Sequence, residues 1–246
     1  MMNPTASMLV IGDEILSGRT RESNMNFLAI ELSKVGIDLK EVRIVRDYKP
    51  AIISAVINLS SSFDLVFTSG GIGPTHDDIT SECMAEAFNR SLEIHKDARN
   101  KLEDYYRELG KKLNSSRLGM ARIPKGAELI ENSVSAAPGF SIGNVHVMAG
   151  IPKVFQAMVS NIIKTLKKGT PTLSKTIKLS LAEGEIAYIL EKLSSAYPEL
   201  SIGSYPFVEN DEFGVDIVVR GERSDLIDQF INNLEAKIES IKHLNK

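Results

Sequence analysis

Tryptophan is absent from the 246 residues, and cysteine occurs once, at Cys83. A single thiol excludes an intrachain disulfide and an all-cysteine metal cage, and it fits a reducing compartment. No apolar run approaches the roughly 18–20 residues needed to cross a bilayer. Residues 1–7 carry no basic side chain ahead of the short apolar stretch 8–11, so a secretory leader is not expected and the cytoplasm is. An excess of one charge is also missing. Lys and Arg number 29 against 32 Asp and Glu, a formal net charge of −3, which excludes the basic footprint of a nucleic-acid binder. Hydrophobic residues at 43% and charged residues at 25% describe a folded globular chain rather than a disordered one. The length suffices for one large domain or two small ones without covalent staples.

The first two thirds alternate strand-like and helix-like segments. Residues 8–11 form a short apolar run ending at Gly12. Residues 24–35 place Phe27, Leu28, Glu31, Leu32 and Val35 at helical spacing, with Gly36 as the stop. A second strand is predicted over 39–45. Asp47 is placed to cap a helix over 50–60. A third strand covers 65–68 and leads through a loop to a helix ending near Phe88. A polar helix follows over 96–109. Residues 140–142 and 145–148 flank Gly143-Asn144 as a hairpin, and a helix covers 151–166. This order predicts a mostly parallel α/β sheet covered on both faces. Sites in such sheets lie beyond the carboxyl ends of the strands. Residues 167–172 break the pattern. Residues 171–246 then read as β-α-β-β-α, a small α+β domain after a first domain of 1–170.

The chemically rich residues follow those strand ends. Ser69-Gly70-Gly71-Ile72-Gly73-Pro74-Thr75-His76-Asp77-Asp78-Ile79-Thr80 sets three glycines behind a strand, with Thr80 at the expected N-cap. Glycines permit close approach of backbone to a ligand, and helix-start amides attract anions. Ser69, Thr75 and Thr80 add hydroxyls. One reading is a phosphate cradle with Asp77 and Asp78 as ligands of a hard divalent cation. The other is a tight turn capped by aspartates. Neither the Gly-x-x-x-x-Gly-Lys-Ser/Thr nor the Gly-x-Gly-x-x-Gly phosphate motif occurs. After the first strand come Asp13 and Glu14, offering a general base or metal ligands, then Arg19 or Arg21 for phosphate charge. A solvated loop with a cap at Ser23 or Asn24 is the alternative. Ala136-Ala137-Pro138-Gly139-Phe140 and Gly150-Ile151-Pro152 read by themselves as turns, the latter at a helix start beside Lys153.

Isolated candidates carry less. Cys83 reads as a buried thiol. His76 is placed to touch a ligand from the glycine loop. His95, His146 and His243 form no ligand-spaced pair, so zinc is not expected. Tyr105 and Tyr106 read as packing. Lys164, Lys167 and Lys168 read as a solvated helix end.

Laid out in order, these segments resemble those of the CinA (competence/damage-inducible protein A) family, and more broadly the molybdopterin-binding superfamily of MogA and MoaB type. The match includes Gly12-Asp13-Glu14-Ile15-Leu16-Ser17-Gly18-Arg19 with Asn24, the Gly70–Thr80 segment, Ala137-Pro138-Gly139-Phe140 and Gly150-Ile151-Pro152. The tail, with Gly184-Glu185 and Ile202-Gly203-Ser204-Tyr205-Pro206, is similar to the family's small second domain. The resemblance implies a three-layer α/β/α main domain, a homo-oligomer (a dimer, or a trimer on the MogA pattern) and a small-molecule nucleotide or pterin ligand. It adds Asn24, Pro138, Gly139, Gly150 and Pro152 to the ligand-binding set. It implies metal-dependent cleavage of the pyrophosphate in ADP-ribose, with FAD as second substrate, magnesium or cobalt as cation and potassium as a further one. The alternatives are a molybdopterin-binding protein without turnover, a molybdopterin adenylyltransferase, or a scaffold whose second domain mediates protein contacts. Ile72 stands where MogA-type loops carry Thr, and Pro74 with Asp77-Asp78 follows the CinA pattern. Two positions depart from it. Val154 replaces a common Glu, and Ser135-Ala136 replace Gly-Thr. The nicotinamide mononucleotide amidohydrolase domain of larger members is not expected here.

Overall fold

In the computed structural model, structure is described for residues 3–209 and 212–244, the side chains of 212 and 241–244 excepted. The chain divides into two compact units, Met1–Gly169 and Thr170–Lys246. The first contains β1 (Thr5–Ile11), α1 (Asp13–Leu16), α2 (Asn24–Lys34), β2 (Asp38–Val45), α3 (Lys49–Ser62), β3 (Leu65–Ser69) and α4 (Thr80–Ala87). It continues with β4 (Leu92–Ile94), α5 (Lys96–Glu108), α6 (Ser115–Gly119), β5 (Arg122–Pro124), β6 (Glu128–Ile130), β7 (Gly139–Ile142), β8 (Val145–Met148) and α7 (Pro152–Ile162).

Six strands form the central sheet in the order β2-β1-β3-β8-β7-β6. The pairings β1–β2, β1–β3 and β3–β8 are parallel, whereas β7–β8 and β6–β7 are antiparallel. The sheet is therefore mostly parallel, as expected. β1 shows why two helical layers form. Its side chains alternate, so Leu9 and Ile11 enter one core while Ala6, Met8 and Val10 enter the other. The first core holds Ile52, Val56 and Leu59 of α3 with Cys83 and Met84 of α4. The second holds Leu28 and Leu32 of α2 with Phe155 and Met158 of α7. Leu9 is fully buried, so Leu9→Ala removes packing worth about 2–5 kcal/mol.

Several local expectations require correction. Asp47 does not cap α3, whose N-cap is Tyr48 with no side-chain hydrogen bond. Ser23 makes none at α2; instead the Glu22 carboxylate accepts the Asn24 and Met25 amides, both at 2.9 Å. Ile79, not Thr80, is the N-cap of α4. The final helix of this unit stops at Ile162, short of 166. Strands β4 and β5, which pair antiparallel, and β6 escaped the sequence reading because each has only three residues.

The second unit contains β9 (Leu173–Leu179), α8 (Glu183–Ala196), β10 (Ser201–Glu209), β11 (Glu212–Gly221) and α9 (Ser224–Leu244). Its antiparallel sheet has the order β10-β11-β9. Val215, Ile217 and Val219 alternate inward from β11 and pack with Ile186 and Leu193 of α8 and Phe230 and Leu234 of α9. No described helix is long and apolar enough to cross a membrane.

Candidate functional site

β1, β3 and β8 run parallel, so Ile11, Ser69 and Met148 end at one edge of the sheet. The chain passes from β1 outward to β2 and returns across β1 to β3, which makes the gap between β1 and β3 a topological switch point. The segments beyond these ends meet there in a cleft of about 710 Å³.

Two glycines build its floor. Gly70 has φ 110°, and a β-carbon on it would lie 2.1 Å from the Ile11 carbonyl oxygen. Gly71 has φ 68°, and a β-carbon there would lie 2.1 Å from Thr80 Oγ1. Only glycine satisfies both the left-handed backbone and the contact. Thr80 seals the loop against α4. Its amide donates to the Gly71 carbonyl at 2.9 Å and its hydroxyl to the Gly70 carbonyl at 3.0 Å. Among the described residues, the amides of Gly71, Ile72 and Gly73 donate to no backbone carbonyl. They are donors available to an anion.

Carboxylates surround this floor. Glu14, Asp47, Asp77 and Asp78 line the cleft, and among the described residues no Lys, Arg or His side chain lines it. Glu14 folds back over Gly12, where a β-carbon would lie 2.5 Å from Glu14 Oε2. Asp47 Oδ2 accepts the Asp13 amide at 2.9 Å. Partial burial raises the Asp47 pKa above the ordinary aspartate value, and the Glu14, Asp13 and Asp77 carboxylates add to the rise against the lowering effect of the Asp13 amide. Thr75 holds Asp78, its amide (2.8 Å) and hydroxyl both donating to Oδ2, and the nearby Thr75 hydroxyl keeps the Asp77 carboxyl below its usual range. Among the described residues, no three His, Cys, Asp or Glu side chains converge on a metal position.

One wall is apolar and aromatic. Leu102, Tyr105 and Tyr106 of α5 line it with Met120. The two tyrosine rings stand 5.4 Å apart at 79°, and the Arg117 guanidinium lies 4.4 Å over the Tyr106 ring. Gly150, Ile151 and Pro152 at the start of α7 also line the cleft.

Comparison with known proteins places this architecture. Residues 7–168 match the family described as "Probable molybdopterin binding domain". The chain belongs to that family. Residues 171–245 match the "FAD synthase, middle domain". A crystal structure of the protein CinA from Thermoplasma acidophilum is similar over 67% of this chain and 99% of its own, at 34% identity and a TM-score of 0.61. A protein of Pyrococcus abyssi is 31% identical over 96% of this chain and 98% of its own length. A "Probable FAD synthase" of Caenorhabditis elegans is 28% identical over 94% of this chain, which spans 49% of that relative.

In this member of the family, the cleft brings together Glu14, Gly70, Gly71, Gly73, Asp77, Asp78, Gly150 and Pro152 from the sequence-predicted set. Others lie elsewhere. The Asp13 carboxylate pairs with Arg46 at 3.1 Å rather than facing the cleft. Arg19 is exposed on the loop beyond α1 and lies outside the lining. Asn24 and Ser69 are buried and bonded to each other at 2.9 Å, and Asn24 Nδ2 also donates to the Gly150 carbonyl at 2.8 Å. Together they clamp the loop ends instead of contacting the cleft. Thr75 and Thr80 likewise spend their hydroxyls on the loop. Pro138 and Gly139 are buried; a β-carbon on Gly139 would lie 2.4 Å from the Val147 carbonyl oxygen, so β7 requires that glycine for packing. His76 is exposed and outside the lining. Val154 is buried among the α7 core residues and reaches the cleft with its remaining surface. Ser135 and Ala136 also line it.

Sequence reasoning missed Asp47, which it assigned to a cap, and the tyrosine wall, which it assigned to packing. Asp47 is 33 residues beyond Glu14, and no local pattern links them. Cys83 is fully buried, and desolvation pushes its thiol up to about 11, which accords with an inert core residue.

Proposed function

We propose that the cleft binds a nucleoside diphosphate derivative and cleaves its pyrophosphate by hydrolysis with a divalent cation, ADP-ribose being the leading substrate and FAD the second. The observation carrying this reading is the joint presence, in one cleft, of available backbone amides and four carboxylates, with no cationic side chain lining it among the described residues. An anionic diphosphate is repelled by such carboxylates unless a cation accompanies it. The donor set suits magnesium, which is held by one or two carboxylates and by substrate phosphates rather than by a complete protein cage.

In this proposal Asp77 and Asp78 hold the cation, with Thr75 fixing Asp78. A divalent cation there would polarise a phosphoryl oxygen and increase the acidity of water. The Gly71, Ile72 and Gly73 amides orient the diphosphate and stabilise charge on its oxygens. Glu14 accepts the proton of the attacking water. It is better placed than Asp13, whose carboxylate is engaged by Arg46. Water attacks one phosphorus, the bridging P–O bond breaks, and AMP leaves with ribose 5-phosphate or FMN as the other product. A dimer is the assembly we propose, which mass in solution tests against monomer and trimer.

The test is chromatography after incubation with ADP-ribose or FAD in magnesium, in cobalt or in chelator, with potassium included and omitted. AMP formed only with the divalent cation supports the reading. A second reading follows from the family description: the same amides and aromatic wall hold molybdopterin. AMP transfer to the pterin from MgATP, with no AMP from ADP-ribose, favours that alternative.

A further inference from the structure

We infer that Tyr105 and Tyr106 form the recognition corner for a flat heteroaromatic ring, so that this cleft selects diphosphates joined to a purine or flavin over sugar phosphates. This inference rests on the nucleotide reading above and assigns its specificity to α5. Both tyrosines line the cleft whose floor is the Gly70–Gly73 loop. Their planes lie at 79°, so a ring stacked flat on one stands nearly perpendicular to the other. That geometry satisfies the preferred stacked and edge-on contacts of aromatic rings. Tyr106 is already fixed. Arg117 covers its ring at 4.4 Å, while the Arg117 guanidinium also donates to the Lys112 carbonyl at 2.7 Å. Tyr106 packs against the first core as well. Tyr105, by contrast, keeps 36% of its surface exposed and is the ring with area left to cover. Leu102 and Met120 extend the apolar surface beside it and offer no charge to a sugar phosphate. A ring that stacks here loses little conformational entropy from the protein, since a tyrosine has few rotatable bonds and Tyr106 is held before binding.

The experiment reads binding rather than turnover. AMP and ribose 5-phosphate, which share the phosphate and sugar but differ in the ring, are titrated by equilibrium dialysis in magnesium into the wild-type chain, Tyr105→Phe and Tyr105→Ala. The exposure of Tyr105 makes its truncation tolerable to the fold, and Tyr105→Phe retains the ring. Loss of one stacked ring corresponds to about tenfold in affinity. Tyr105→Ala is expected to weaken AMP about tenfold and to leave ribose 5-phosphate unchanged, with Tyr105→Phe within about twofold of wild type. FMN in place of AMP establishes which ring gains more from Tyr105, and preference for either supports the corner. Wild-type affinity no higher for AMP and FMN than for ribose 5-phosphate overturns the inference, as does equal weakening of all ligands or of none by Tyr105→Ala. Ring-dependent binding without any cleavage of ADP-ribose or FAD would preserve the inference and remove the hydrolase reading. Cleavage with no loss of ring binding in Tyr105→Ala would do the reverse.

Discussion

The carboxylate of Asp47 accepts the backbone amide of Asp13 at 2.9 Å and so joins the segment after β2 to the segment after β1. It does so while facing the Glu14, Asp13 and Asp77 carboxylates, and its pKa is raised. The folded chain therefore holds the Asp47 proton more tightly than the unfolded chain. Protonation favours the fold, and this contribution is lost as pH rises from the ordinary value of 3.8 through the raised one. Asp47→Asn keeps an acceptor for the Asp13 amide and removes the repelling charge. Its Tm is predicted to exceed that of wild type at pH 7, with the difference closing toward pH 4. Equal Tm values at pH 7 would show that burial and the neighbouring carboxylates place no net penalty on the charged Asp47 side chain.

Two glycine substitutions should separate fold from function. A β-carbon at Gly70 meets the rigid Ile11 carbonyl oxygen at 2.1 Å, with φ at 110°. Gly70→Ala is predicted to cost more than about 2 kcal/mol in a denaturant titration. A β-carbon at Gly12 meets only the movable end of Glu14. Gly12→Ala should change stability by less than about 1 kcal/mol but displace the proposed proton acceptor. A tenfold or larger fall in kcat with a stability loss under about 1 kcal/mol is the expected outcome.

The acids beyond the glycine loop have distinct tasks. Asp77→Asn removes a proposed cation ligand and is predicted to lower kcat at least about a hundredfold, with partial recovery at higher magnesium. Thr75→Val removes the hydroxyl that donates to Asp78 and lowers the Asp77 pKa, and retains the amide bond to Asp78. It should raise the magnesium concentration needed for half-maximal rate and leave the rate at saturation within a few-fold. Metal-independent turnover in Asp77→Asn would remove the cation from the account.

Much of this architecture was legible because it follows from local periodicity. β1 alternates between two cores, and α2 and α7 carry apolar stripes, so the mostly parallel sheet and its covering helices could be anticipated. The glycine loop was visible from residue type alone, since Gly70 and Gly71 occupy backbone conformations that few other residues reach. Tertiary use of polar side chains was not visible. Thr80 and Asn24 resemble ligand-binding residues in sequence, yet the Thr80 hydroxyl donates to Gly70 and the Asn24 Nδ2 group to Ser69 and Gly150. Glu22, two residues ahead of α2, captures the amides that a nearer Ser or Asn was expected to cap. Tyr105 and Tyr106 have helical spacing compatible with packing, and only the placement of α5 turns them toward the cleft.

A buried histidine supplies an independent check on packing. His146 of β8 contacts Ser141 Oγ through Nδ1 at 2.9 Å, while its buried Nε2 has no hydrogen-bond partner among the described residues. Desolvation holds its pKa down to about 4, against an ordinary 6.5. The folded chain keeps it neutral where the unfolded chain takes up a proton. Its contribution is complete above pH 6.5 and is lost as pH falls toward 4, by on the order of 3 kcal/mol. His146→Phe, which fills the same space without titrating, should flatten the stability profile across that window. A profile as steep as wild type would place the proton elsewhere.

The central claim is tested most directly by cleaving ADP-ribose in water enriched in oxygen-18 and weighing the products. The account predicts AMP and ribose 5-phosphate, one of them carrying a single heavy oxygen on phosphorus, formed with magnesium, abolished by chelator and formed at least about a hundredfold more slowly by Asp77→Asn. Absence of both products with every divalent cation, from protein that still binds AMP, would contradict it.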